Sequence, residues 1–146
     1  MTTLRMDNVA IVVDDLDAAI AFFTELGLDL EGRQQVEGAV ADQCTGLDGV
    51  RTEIAMMRTP DGSGRLELTA YATPVATTPE PPHAQPNTIG LHRVMFEVDD
   101  IDTMLDRLGR HGATLLGQVA NYEDIYRLCY LRGPSGIIVA LAEHIG

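Results

Sequence analysis

Four histidines and two cysteines are the side chains from which a transition-metal site would first be sought in this 146-residue chain. Such a site generally needs about three ligands of His, Cys, Asp or Glu type. His83 lies in a proline-rich stretch, His111 ends a helical pattern beside its negative dipole end, and His144 falls in the C-terminal tail, so none converges on another by spacing. His92 shares the phase of Val94 and Phe96 in an alternating run and reads as a strand-end histidine near a helix layer. Cys44 and Cys129 stand far apart without C-x-x-C spacing, and in a reducing compartment they are thiols packed as small hydrophobes. No nucleophile has an evident base partner. Gly62-Ser63-Gly64, Gly32 and Gly38 lack the strand-to-helix setting of a phosphate loop and read as turn glycines. The residues with the most to offer a ligand are Met56 or Met57, Met95, Thr69 and Ile138, with Tyr122, Tyr126 and Tyr130 as aromatic walls. Methionine and tyrosine suit flat apolar ligands with a polar edge, and equally suit an ordinary core.

Those residues have to be positioned by a fold, and composition bounds which. A hydrophobic fraction of 45% and a charged fraction of 22% describe a folded globular domain. At this length it buries roughly two thirds of its unfolded surface. The net charge of −12, from 22 acidic against 10 basic residues, repels a phosphate backbone, so nucleic acid is not an expected partner. No stretch approaches the run of about 18 apolar residues that would cross a bilayer, and no signal peptide is recognisable, so no membrane partner and a cytoplasmic location are expected.

The chain repeats itself. Val9-Ala-Ile-Val-Val-Asp-Asp-Leu-Asp17 matches Val94-Met-Phe-Glu-Val-Asp-Asp-Ile-Asp102 at an offset of 85, which also carries Ile20 onto Leu105, Gly27 onto Gly112 and Leu30 onto Leu115. In each copy an alternating run (Val9, Ile11, Val13; Val94, Phe96, Val98) predicts a strand with one face covered. Asp14-Asp15 and Asp99-Asp100 then offer carboxylates to the free amides of a first helical turn. Leu16, Ile20 and Phe23, and in the second copy Ile101, Leu105 and Leu108, form the apolar stripe that covers the strand. Gly27 and Gly112 fall where a helix closes in a left-handed residue. Strands are predicted at 52–58 and 65–70 around Thr59-Pro60-Asp61-Gly62, and at 126–132 and 137–142 around Gly133-Pro134-Ser135-Gly136. Weaker strands are expected at 36–44 and 116–122. Residues 74–87 hold five of the seven prolines and predict an extended, exposed connector.

The phrases Asn8-Val-Ala-Ile-Val-Val-Asp-Asp-Leu, Arg93-Val-Met-Phe-Glu-Val-Asp-Asp-Ile and Gly133-Pro-Ser-Gly-Ile-Ile-Val-Ala-Leu-Ala resemble the vicinal oxygen chelate superfamily of glyoxalase I, methylmalonyl-CoA epimerase, extradiol dioxygenases and bleomycin-resistance proteins. The resemblance spans nearly the whole chain. It implies an α+β fold of two tandem βαβββ modules, forming a paired, curved mixed sheet around a central cleft. A single domain of residues 1–146 is expected, with module 1 at 4–72, a linker at 73–88 and module 2 at 89–145.

Members of that family commonly hold a divalent metal with residues of the first and last strands of each module, positions that fall here on Asn8, Glu67, Arg93 and Ala140. Only Glu67 is a plausible ligand. Strand parity agrees with this placement: Asn8, Ala10 and Val12, then Arg93, Met95 and Glu97, oppose the helix-covered face, as do Glu67 and Thr69 beside Leu66 and Leu68. Arg93 would place a guanidinium where the family keeps its cation, paired with Glu67, either to bind a carboxylate, enolate or phenolate oxygen or as a structural ion pair in an obsolete site.

The expectation is therefore a small-molecule binding protein without a cofactor, serving resistance or sequestration. Asn8, Glu67, Thr69, Arg93, Met95 and Ala140 would contact an aromatic or anionic metabolite or natural product. The alternative is a glyoxalase- or epimerase-like lyase or isomerase with Glu67 as base and Arg93, or a divalent metal, as electrophile. A homodimer is implied by the resemblance alone.

Overall fold

The computed structural model describes residues 1–146. The first half runs β1 (Val9–Val12), α1 (Leu16–Leu26), β2 (Asp29–Glu37), α2 (Ala39–Thr45), β3 (Arg51–Arg58) and β4 (Arg65–Thr73). The second runs β5 (Arg93–Val98), α3 (Ile101–Gly109), β6 (Thr114–Tyr122), β7 (Tyr126–Arg132) and β8 (Ile138–His144), with a 3-10 turn at Pro134–Gly136. Two compact units result, Met1–Thr77 and Thr78–Gly146, dividing within the proline-rich stretch. Each holds one four-stranded mixed sheet, ordered β1-β4-β3-β2 and β5-β8-β7-β6, so the fold is α+β. The first strand of each unit pairs parallel with the last, and the other neighbours are antiparallel.

The aspartate pairs start the long helices. Asp15 accepts the Ala18 amide at 3.0 Å and Asp100 accepts that of Thr103 at 3.1 Å, each satisfying a donor that has no intrahelical partner. In the first turn, Asp17 and Asp102 are each tied to the sheet by an arginine, Arg33 at 2.7 Å and Arg127 at 2.8 Å. Helix α1 ends as predicted, at Gly27 with φ 115°, and Leu28 donates back to the Phe23 carbonyl at 2.9 Å. Helix α3 does not end at Gly112. It stops at Gly109, with Arg110 still right-handed, and Gly112 at φ 84° turns the chain only after a further loose turn.

Under α1, the buried Leu16, Ala19, Phe22, Phe23 and Leu26 meet Ala55, Met57, Leu66 and Leu68. The second unit has the same layering, with Ile101 and Leu108 of α3 among Cys129, Leu131, Val139 and Leu141. Each large side chain so buried contributes about 1.5–3 kcal/mol.

The span 36–44 is not a strand. Strand β2 begins straight after α1 and ends at Glu37, and the residues behind it coil into α2, where only Ala41 is buried. Both β2 and β6 are edge strands exposed over most of their length, so neither shows the alternation that marks a half-buried strand. Each edge carries an irregularity, between Leu30 and Gly32 and between Leu116 and Ala120. Such bulges discourage edge-to-edge pairing.

Much of the proline-rich stretch is exposed, but it is not a free connector. Arg132 donates to the Ala84 carbonyl at 2.7 Å, to that of His83 at 3.4 Å and to that of Gly136 at 3.0 Å. His83 lies against Gly136, where a Cβ would come within 2.8 Å of the imidazole. No helix is long and apolar enough to cross a membrane.

Candidate functional site

Each sheet has a face turned away from its helix, and register fixes which residues share it. In the first unit, Glu67 on β4 stands between Ala10 on β1 and Met56 on β3, and Thr69 stands between Val12 and Ile54. Met57, the alternative to Met56, is fully buried on the opposite face under α1. Glu67 is half-buried and accepts a hydrogen bond from the Thr69 hydroxyl at 3.0 Å. Asn8 precedes β1 and donates to the Asp7 carboxylate at 2.9 Å. Together with Arg5 and Arg65, that amide holds the Asp7 carboxyl below the usual aspartate range. Beside Met56, Gly32, Gln34, Ile54, Glu31 and Arg33 line a depression of about 210 Å³. That is smaller than the roughly 300 Å³ at which ligand pockets begin.

In the second unit the equivalent row is Met95, Ala140 and Tyr130, and the rows beside it are Arg93, Ile138 and Arg132, then Glu97, Ala142 and Leu128. Arg93 lies over the Tyr130 ring, 4.9 Å from its centroid. A guanidinium over an aromatic face is attracted by the ring quadrupole. Ala140 is wholly buried, so it offers shape but no donor atom, and Met95 is 49% exposed.

His144 is not in a tail. It is the last residue of β8, paired with Tyr126, and their rings meet edge to face at 5.1 Å. The alternation Ile138, Ala140, Ala142, continued two residues, would have placed His144 on this face. Tyr122 pairs with Tyr126 at the far end of the same face and is largely exposed. His92 is half-buried just before β5, in the phase of Val94 and Phe96.

The units therefore present unlike faces: a carboxylate with a hydroxyl donor in one, and a guanidinium with tyrosines in the other. Of the four positions that the resemblance assigns to metal ligands, Arg93 and Ala140 offer no donor atom to an ion. A guanidinium has no lone pair to offer and a methyl group has none; the Asn8 amide donates to Asp7 through its N–H, which leaves its carbonyl oxygen and the Glu67 carboxylate as two donors, short of the about three that a catalytic site generally uses. No group of three His, Cys, Asp or Glu side chains is placed to hold an ion.

A family model described as the Glyoxalase/Bleomycin resistance protein/Dioxygenase superfamily matches residues 7–130. A glyoxalase family protein from Bacillus cereus is 53% identical over 100% of this chain and 97% of its own, with a TM-score of 0.95. Glyoxalase I from Zea mays, in a mutant form, is 19% identical, with 93% of this chain and 44% of that one covered and a TM-score of 0.65. A fosfomycin resistance protein from Listeria monocytogenes, complexed with Mn(II) and 1S,2S-dihydroxypropylphosphonic acid, is 9% identical over 99% of this chain and 92% of its own, at a TM-score of 0.63. These two share the fold. No curated protein matches the chain.

Proposed function

Because the chain belongs to the Glyoxalase/Bleomycin resistance protein/Dioxygenase superfamily, we propose that it is a metal-independent member that binds a small aromatic or anionic metabolite or natural product, in a sequestering or resistance role. The observation that carries this reading is Arg93 over Tyr130 at a position where the family keeps a metal ligand. A guanidinium cannot ligate an ion, but it is a permanent cation that can take a carboxylate, phenolate or phosphonate through parallel hydrogen bonds. The Listeria protein of this fold is complexed with both a metal and a phosphonate. In the present chain the positive charge would come from the protein itself. Met95 and Ala140 would shape the remaining contacts beside Arg93, and on the open face of the first unit Asn8, Thr69 and Glu67 would offer polar contacts, Glu67 selecting for a ligand donor.

Mass spectrometry of molecules co-purifying with the protein supplies the ligand, and Arg93→Met then tests the role. Loss of binding with an unchanged melting temperature is expected. Unchanged affinity would reject it.

One observation favours a second reading, in which the protein is a lyase or isomerase. Glu67 is half-buried and hydrogen-bonded by Thr69, as a positioned general base would be. It would remove a proton beside a carbonyl of the bound ligand. Turnover of a bound carbonyl compound that Glu67→Gln abolishes without weakening binding would establish this reading over sequestration.

A further inference from the structure

We propose that Tyr130 and Arg93 together form a receptor for a monocarboxylate with a flat apolar body, Tyr130 fixing the guanidinium and Met95 receiving the body. The proposal rests on Arg93 being the anion anchor. All ten basic residues of the chain are arginines, and most are engaged by acceptors. Arg33 bridges Asp17 and Glu53, Arg65 meets Glu31 and Asp7, and Arg127 forms a two-pronged pair with Asp102. Arg132 donates to three backbone carbonyls. Arg93 differs: its contact is the Tyr130 ring, and no carboxylate or carbonyl of its own unit accepts from it.

A guanidinium carries five donors in a fixed fork, and a ring contact engages none of them. The ring does restrict a long side chain that would otherwise lose rotamer freedom when a ligand arrives. Tyr130 is in this sense a positioning residue. The rest of the site chooses the ligand's shape. Met95 and Tyr130 flank the buried Ala140 in register, and Met95 is exposed two residues from Arg93 on the same face, so an apolar body has a soft surface to rest on. Glu97 projects from the same strand face four residues beyond Arg93, roughly 13 Å along the strand. A second carboxylate reaching that way would be repelled, which selects a single acid group.

The test is calorimetric titration of the full-length protein with benzoate, acetate and benzamide, repeated for Arg93→Met, Tyr130→Phe and Tyr130→Leu, with each variant's melting curve recorded. Benzoate is expected to bind about tenfold more tightly than either acetate, which lacks the body, or benzamide, which lacks the charge. Tyr130→Phe should keep that affinity and Tyr130→Leu should lose roughly tenfold, with folding intact in both. Benzoate affinity unchanged in Tyr130→Leu, or acetate binding as tightly as benzoate, would overturn the receptor while leaving Arg93 as anchor. Benzoate binding equally to Arg93→Met, or benzamide binding as tightly as benzoate, would remove the anchor too. No benzoate binding at millimolar concentrations would also overturn the receptor.

Discussion

Strand register allows the two units to be compared residue by residue. On the helix side they agree: an aspartate caps each helix, a second aspartate in its first turn is held by an arginine, and buried aliphatic side chains fill the layer beneath. Even there the solution differs. At equivalent places on the third strand of each sheet stand Glu53, which shares Arg33 with Asp17, and Arg127, which meets Asp102 directly. On the open side the units share almost nothing. The row Ala10, Glu67, Met56 becomes Met95, Ala140, Tyr130, and the phase of Asn8 is taken by Arg93. The helix-facing pattern is what makes a unit fold, so it tolerates few replacements; the open face is free to differ in chemistry.

The largest expected effect would break the claim that the units pack alike but not equally. Five buried residues anchor α1 and two anchor α3. Phe22→Ala should cost about 3–5 kcal/mol, and Leu108→Ala about 2–3 kcal/mol, in urea unfolding followed by circular dichroism. The reverse order would show that the second unit carries more of the stability. Next, Asp15→Ala should remove about 1 kcal/mol by leaving the Ala18 amide without its cap. A loss indistinguishable from zero would mean that water caps the helix equally well.

The pH dependence comes third. The Thr103 amide and hydroxyl hold the Asp100 carboxyl below the usual range, and the Arg127 guanidinium does so for Asp102. In the first unit, the Ser63 amide and Thr59 hydroxyl do so for Asp61. A carboxyl depressed in the folded state contributes stability that is complete above its unfolded value, about 3.9, and is lost as pH falls through the lower folded value. Melting temperature should therefore hold above about pH 5 and fall below pH 4, and Asp102→Asn should show a shallower fall than wild type. An identical slope would remove Asp102 from the linkage. The smallest effect distinguishes the thiols. Burial pushes Cys129 up, whereas Cys44 is exposed on α2. Iodoacetamide at neutral pH should add one group to the native protein and two in denaturant, read by intact mass. Two groups in the native protein would show that the β7–β8 layer opens.

The sequence made legible whatever one-sided burial imposes. Val9, Ile11 and Val94, Phe96 alternate because α1 and α3 lie on one side of their sheets, and Asp15 and Gly27 mark the ends of α1 because unpaired amides and a left-handed turn demand them. The edge strand β2 escaped that reading because solvent reaches both its faces, and α2 because a seven-residue helix with one buried side chain has no stripe to show. At the candidate site, parity places Glu67, Thr69, Arg93 and Met95 on their faces. It does not reveal that Tyr130 supports Arg93, which depends on cross-strand register, nor that His144 continues β8 to meet Tyr126. The docking of residues 83–84 by Arg132 left no trace in the pattern, because it uses backbone carbonyls.

Whether a guanidinium has taken the place of a metal is tested most directly by the melting temperature of wild type and Glu67→Gln with and without excess Mn(II). If Arg93 supplies the cation, the ion leaves both proteins unchanged. Stabilisation of the wild type alone, about 2.7 kcal/mol at a hundredfold excess over Kd, would show that a metal site survives at Glu67.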